Sequence, residues 1–261
     1  MDAHYPVSLE GELDPNLSRG LWLVKWFLAI PHYIVLAFLL IAFVVLSAVA
    51  FFAILFTGKY PRGIFDFNVG FLRWTWRVSY YSLGAFGTDR YPPFSLKATD
   101  YPATLDVEYP EHLSKGLVLV KWWLLAIPHY IVVGILLGGR SGGLNLVLVI
   151  FAAVALLFTG RYPVSIFALV IGVNRWAFRV FAYASLMRDE YPPFRLDPLV
   201  SQFGQHANLR LEAFSVKPYG LSKLIKRLYT GRRKMGAMTG VKPQSLNAHY
   251  NKGEIRCGIW C

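Results

Sequence analysis

The chain has 261 residues, 55% apolar and 16% aromatic, with 27 Lys and Arg against 15 Asp and Glu and a formal net charge of +12. With a mean hydropathy of +0.41, this composition lies outside the usual soluble range and points to a polytopic membrane protein. Only two cysteines occur, Cys257 and Cys261, which excludes a disulfide framework for the fold.

The opening MDAHYPVSLEGELD is acidic and has neither a basic n-region nor a small-residue cleavage site, so no cleaved signal peptide is expected. Tyr5 to Leu13 alternates loosely between apolar and polar residues, as does Tyr101 to Val107; both read as short extended segments before a helix. Tyr91 to Leu96 and Tyr191 to Leu196 carry paired prolines and are expected to be extended as well. A small sheet among these four pieces is one arrangement they allow.

The chain is one module written twice. VKWFLAIPHYIV at Val24 returns as VKWWLLAIPHYIV at Val120, LSRGL at Leu17 as LSKGL at Leu113, LFTGKYP at Leu55 as LFTGRYP at Leu157, and YPPFSL at Tyr91 as YPPFRL at Tyr191. Three regions follow: repeat 1 over 1–96, repeat 2 over 97–196, and a tail over 197–261.

Each apolar run starts after Ser18 or Ser114, both plausible helix N-caps. From Leu21 to Phe56 the only charge is Lys25, and a single helix of that length would reach about 54 Å against a hydrocarbon core of about 30 Å. In repeat 2 the register shifts across Gly138 to Asn145, GGRSGGLN, a sequence expected to turn at a membrane surface because its backbone would have no partners in lipid. The spacing therefore predicts a transmembrane helical hairpin in each repeat: helix A over Leu17 to Leu40 and helix B over Ala42 to Phe56, repeated at Leu113 to Leu137 and Leu144 to Phe158.

Helix C follows at Ile64 to Leu83 and Ile166 to Leu186. Asp66, Gly70, Arg73 and Arg77 fall on one face, and repeat 2 keeps Gly172, Arg175 and Arg179 but has Ala168 for the aspartate. Two arginines at mid-membrane cost about 5 to 7 kcal/mol, against about 3 to 6 kcal/mol from the apolar residues. Helix C is therefore predicted to be amphipathic and interfacial, its arginines toward phosphates, with Asp66 paired to an arginine one or two turns along. The fold class expected is all-α membrane protein, two parallel repeats related by a pseudo-two-fold axis along the membrane normal, flanked by short extended segments.

Lys and Arg fall on one side of both hairpins, except Arg140. The positive-inside rule then places a multi-pass protein in the inner (plasma) membrane with both termini cytoplasmic. The tail repeats nothing and holds 11 of the basic residues against 3 acidic ones. Its LSKLIKRLYTGRRK, from Leu221, has the pattern of a basic membrane-surface helix drawn to anionic lipid. Nucleic acid is not the expected partner, because no stacking aromatics are interleaved.

VKWFLAIPHYIV, LFTGKYPRGIFDFNVGFLRW and TDRYPPFSL, with their second copies, resemble the bacterial membrane domain of unknown function catalogued as DUF family 4389, over about residues 5 to 196. The resemblance implies an integral membrane protein and carries no activity or catalytic residue with it. Repeat 2 departs from repeat 1 at Val164 and Ser165, where Arg62 and Gly63 stand, and at the Gly138 to Asn145 insertion.

His32 and His129 follow prolines inside helix A, one per repeat, where ionisable groups are rare and often functional. They could ligate a metal or haem or relay protons. The simpler reading is that the imidazole, with Tyr33 or Tyr130, satisfies the break left by Pro31 or Pro128. Arg73, Arg77, Arg175 and Arg179 form a second symmetric set, suited to phosphate-bearing lipid or another anion because guanidinium presents a fork of donors. Gly139 to Gly143 matches G-x-S-x-G only formally and reads as a turn. Gly58-Lys59 lacks the rest of a phosphate loop, and His249, Cys257 and Cys261 are too loosely spaced for a zinc site.

No cofactor, metal or enzymatic activity is expected. The leading expectation is a non-enzymatic membrane scaffold or accessory protein binding anionic lipid and partner proteins or a second copy. A small-solute or ion transporter and a redox protein using the paired histidines are the alternatives.

Overall fold

Two strands, β1 (Val7–Gly11) and β2 (Ala103–Val107), pair antiparallel with Leu9 opposite Leu105 at the centre. In both, apolar or small residues point inward while Ser8, Glu10, Thr104 and Asp106 face out, the alternation of a sheet with one wet side. The computed structural model describes residues 5–138, 143–194 and 196. All lie in one compact unit, Met1–Val200; the sequence features of the tail, and residues 139–142, lie outside the described residues.

The helices come in the same order in each repeat. Repeat 1 has α1 (Trp22–Leu28), α2 (Ile30–Thr57) and α3 (Arg62–Tyr81). Repeat 2 has α4 (Lys115–Val120), a wide helical turn over Lys121–Leu125, α5 (Ile127–Leu137), α6 (Leu144–Thr159) and α7 (Val164–Ala184). Pro31 and Pro128 sit in the first turns of α2 and α5, where a missing N–H costs little. Ser114 caps α4, accepting from the Leu117 N–H, whereas α1 starts past Ser18 with no side-chain cap.

The FTG-Lys/Arg-YP motif is a stop, turn and restart. Gly58 and Gly160 end α2 and α6 in the left-handed region, at φ of 73° and 71°, where a side chain is strained. Thr57 and Thr159 bond back to Ala53 O and Ala155 O, and Pro61 and Pro163 precede the first turns of α3 and α7. α3 then returns along α2: Phe43 packs on Phe71 at 4.9 Å, and the Tyr33 and Ser82 hydroxyls meet at 2.6 Å where α2 starts and α3 ends.

This corrects the expected hairpin. Its turn is at the FTG-Lys/Arg-YP motif, and the boundary expected between helices A and B of repeat 1 lies inside one unbroken α2, with α1 before it. In repeat 2, α5 and α6 both lie on α7, as α2 lies on α3: His129 of α5 packs on Trp176 at 5.6 Å, and Asn145 of α6 accepts from Asn174 at 3.3 Å. The glycine-rich insertion therefore interrupts one arm and does not reverse the chain. Gly143 N–H donates to Leu137 O across the interruption, at 3.2 Å.

Helix C is also corrected. α3 lies between the sheet and α2: Arg73, Trp76 and Tyr80 reach the strands, while Asn68, Phe71 and Trp74 on the opposite stripe meet α2. α7 is placed alike, with Arg175 on β1 and Trp176 on α5. Costing the arginines against lipid assumed an exposed helix, whereas Arg77 and Arg179 are only 2% and 7% exposed under the extended segments. The layers are thus sheet, then α3 and α7, then α2 and α5–α6.

The repeats interlock about a local two-fold through Leu9 and Leu105. Arg73 Nε donates to Leu105 O and Arg175 Nε to Leu9 O, both at 2.9 Å. Each repeat's strand thus lies on the other repeat's returning helix. The long arms run antiparallel: Leu113 N–H donates to Gly58 O at 2.9 Å, so repeat 2 begins where α2 ends.

α2 and α7 are long and apolar enough to cross a membrane, and the run Lys115–Leu137, bent by 44°, becomes a third such segment if counted as one.

Candidate functional site

The repeated motifs converge on one constellation per repeat. In repeat 1, Lys25 of α1 points inward and its Nζ lies 2.7 Å from Asp89 Oδ1 and 2.7 Å from Thr88 O. The other oxygen of Asp89 accepts from Ser18 N–H at 2.6 Å. Repeat 2 copies this latch: Lys121 Nζ meets Asp189 Oδ1 at 2.7 Å and Arg188 O at 3.0 Å, and Asp189 Oδ2 accepts from Ser114 N–H at 2.6 Å. Burial alone pushes the Asp89 carboxyl up, but the bonds from Lys25 and Ser18 outweigh it and hold the group below its ordinary value.

Just beyond each latch the YPPF segment closes over the histidine of the same repeat. His32 stacks on Phe94 at 3.8 Å, packs on Tyr91 at 4.9 Å, and accepts at Nδ1 from Trp74 Nε1 at 3.1 Å. His129 sits between Phe194 at 4.1 Å, Tyr191 at 4.7 Å and Trp176 at 5.6 Å. Each imidazole is thus an inner wall of its own aromatic box, and the two boxes are separate. The expected role at the proline break is corrected: Phe27 O and Leu124 O, the carbonyls four residues before Pro31 and Pro128, accept from Ala29 N–H and Ala126 N–H, while the Tyr33 hydroxyl meets Ser82 and the Tyr130 hydroxyl donates to Trp122 O. Among the described residues no group of three His, Cys, Asp or Glu could hold a metal ion.

The arginines hold the extended segments down. Arg73 also bonds Asp106, and Arg77 bonds Thr99 Oγ1 and Ser95 O. Arg179 lies over the Tyr5 ring at 4.9 Å. Asp66 pairs backward with Arg62 at 3.9 Å on the surface, not with an arginine further along. A small, open cleft of about 40 Å³ lies beside α3, lined by Arg73, Arg77, Lys97, Thr99 and Thr104, among others. Arg77 Nε has no hydrogen-bond partner among the described residues, and burial pulls its guanidinium below its ordinary pKa. In repeat 2 the position of Lys97 is held by Asp197, so the same three cations do not recur.

The sequence profile of the domain of unknown function DUF4389 matches residues 19–95 and 119–195. The chain belongs to the DUF4389 family. The two matched stretches fall one in each repeat, and each holds the Lys–Asp pair and the aromatic box of that repeat, from the lysine to the phenylalanine, while Ser18 and Ser114 lie outside them. β1 and β2 fall outside both matched stretches. No curated protein and no solved structure matches this DUF4389 chain.

Sequence reasoning singled out the histidines and arginines of the DUF4389 repeats but missed Lys25, Asp89, Lys121, Asp189, Phe94 and Phe194. The signal was present: a lone lysine near the start of each apolar run, and an aspartate shortly before each YPPF.

Proposed function

We propose that this protein is a non-enzymatic integral membrane protein that serves as a scaffold, its sheet offered to proteins in the water and its outer helices to lipid. The observation that carries this reading is the opposite chemistry of its two broad faces. α2 exposes Phe38, Ile41 and Phe56 and α6 exposes Val147, Phe151 and Phe158, while the sheet exposes Ser8, Glu10, Thr104 and Asp106. The polar groups that recur in both repeats, meanwhile, are engaged in latches and boxes that fix shape. The test is purification in mild detergent, with mass spectrometry of whatever remains at fixed stoichiometry. A retained protein that is lost from Glu10→Arg supports the scaffold reading. A lone protein that drives solute flux in proteoliposomes overturns it.

The cleft beside α3 supports a second element of this reading, recognition of a phosphate group by Arg73, Arg77 and Lys97. Lys97 is exposed and has no side-chain bond among the described residues, so Lys97→Ala leaves the fold intact. The variant is expected to lose preference for vesicles containing phosphatidic acid. Equal binding by both forms removes the phosphate element alone.

A further inference from the structure

The polar cap does not sit at the ends of the helices. It lies along them. Thr99 meets Arg77, Leu105 meets Arg73, and the Tyr109 ring lies 4.3 Å from the Arg62 guanidinium, so the segment from Thr99 to Tyr109 covers α3 from its last turn to its first. Thr104 and Asp106 face out midway along it. If α2 and α3 stood upright in a bilayer, this wet strand face, with its open backbone edges and an Asp106 that is largely exposed despite its bond to Arg73, would pass through hydrocarbon, away from the water that solvates it.

The apolar surface also runs lengthwise, on the far side of the sandwich. The buried residues of α2, His32, Leu36, Phe43, Ala50 and Ile54, form one narrow stripe, and the rest of its circumference is open and almost wholly apolar. A layer one helix thick is about 10 Å, less than the roughly 15 Å of one leaflet's hydrocarbon.

The cations give an independent argument. Lys59 and Lys115 lie where α2 ends, with Lys115 Nζ 2.8 Å from Phe56 O. Arg161 lies where α6 ends, and Arg19 is packed against Gly160 there. Because the arms are antiparallel, upright arms would divide these cations between the two sides of the membrane. Arms lying flat place all of them at one depth, around the rim, within reach of the same headgroups.

We infer that the protein is monotopic: α2 and α5–α6 lie in the acyl region of a single leaflet, α3 and α7 lie above them, and the sheet faces water on the same side. The partner of the apolar face is one leaflet of lipid. This rests on the membrane reading above and replaces crossing by in-plane seating.

The test is side-selective labelling of the full chain in membrane vesicles of known orientation. Cys257 and Cys261 are replaced by serine, and single cysteines are introduced as Glu10→Cys, Lys59→Cys, Arg90→Cys and Arg161→Cys, all surface positions. Lys59 follows the end of α2, and Arg90 lies beside its start, where the Tyr91 hydroxyl donates to Leu28 O. In-plane seating predicts that an impermeant maleimide reaches all four from one side only. Labelling of Lys59→Cys and Arg90→Cys from opposite sides overturns the inference while leaving the protein integral to the membrane. Release of the chain by alkaline wash overturns the membrane reading itself.

Discussion

Lys25 and Asp89 form a nearly dry ion pair: their charged atoms are 2.7 Å apart and the lysine side chain is 2% exposed. The pair ties the first helix of repeat 1 to the segment that closes over His32. Removing one partner leaves the other charge buried, which typically costs 3–5 kcal/mol. Asp89→Asn is therefore expected to lower the unfolding temperature in detergent markedly, whereas Lys25→Met combined with Asp89→Leu recovers most of the loss. Equal destabilisation by single and double variants would show that the pair does not act as a unit.

The same pair sets an acid limit. The Asp89 carboxyl titrates below its unfolded value of about 3.9, so its contribution is fully present above about pH 4 and disappears as pH falls through the folded value. The thermal midpoint of the wild type should converge on that of Asp89→Asn as pH drops from 5 to 3. A gap between the two that stays constant over this window contradicts the assignment.

The two boxes differ in one bond, and that difference is measurable. Trp74 Nε1 donates to His32, but both nitrogens of His129 lack partners among the described residues, as does Trp176 Nε1. His32→Phe strands the buried Trp74 donor and should cost about 1–3 kcal/mol. His129→Phe removes two unsatisfied nitrogens from a ring stack and should be neutral or stabilising. Parallel denaturation curves of the two variants decide it, and equal losses would refute the distinction.

Gly70 lies where the YPPF segment crosses α3. A Cβ there would stand 2.8 Å from Leu96 O and 2.9 Å from Leu96 Cβ, so Gly70→Ala should push the segment off the helix at a cost of about 1–3 kcal/mol. Gly63 is in the same helix with nothing within 4 Å, and Gly63→Ala should gain about 0.5–1 kcal/mol. Protease nicking near Leu96 in Gly70→Ala, absent from Gly63→Ala, gives a direct readout.

Much of this was legible from the residues alone. The duplication, the helix runs and the two short strands follow from period, proline placement and the repeated wording. The position of the chain reversal was not, because a glycine-rich interruption reads alike as a turn between helices or a break within one. Only the packing of His129 and Asn145 on the same helix separates those cases. The arginines were found as a face, but their acceptors are strand carbonyls far along the chain, such as Leu9 O for Arg175, and backbone acceptors leave no trace in sequence. Lys25 and Asp89 are likewise separated by a full helix hairpin, so their pairing is a tertiary fact.

The exchange of strands between repeats has a consequence for any shorter chain of this kind. β1 rests mainly on α7 and β2 on α3, with Trp76 of α3 also bonding Glu10 O of β1, so a lone copy would carry a strand missing its main helix and a helix with its arginine uncovered. Such a chain can close only by lending its strand to an identical neighbour. Half the gene should therefore encode an obligate homodimer, in which the approximate two-fold through Leu9 and Leu105 becomes a true molecular dyad.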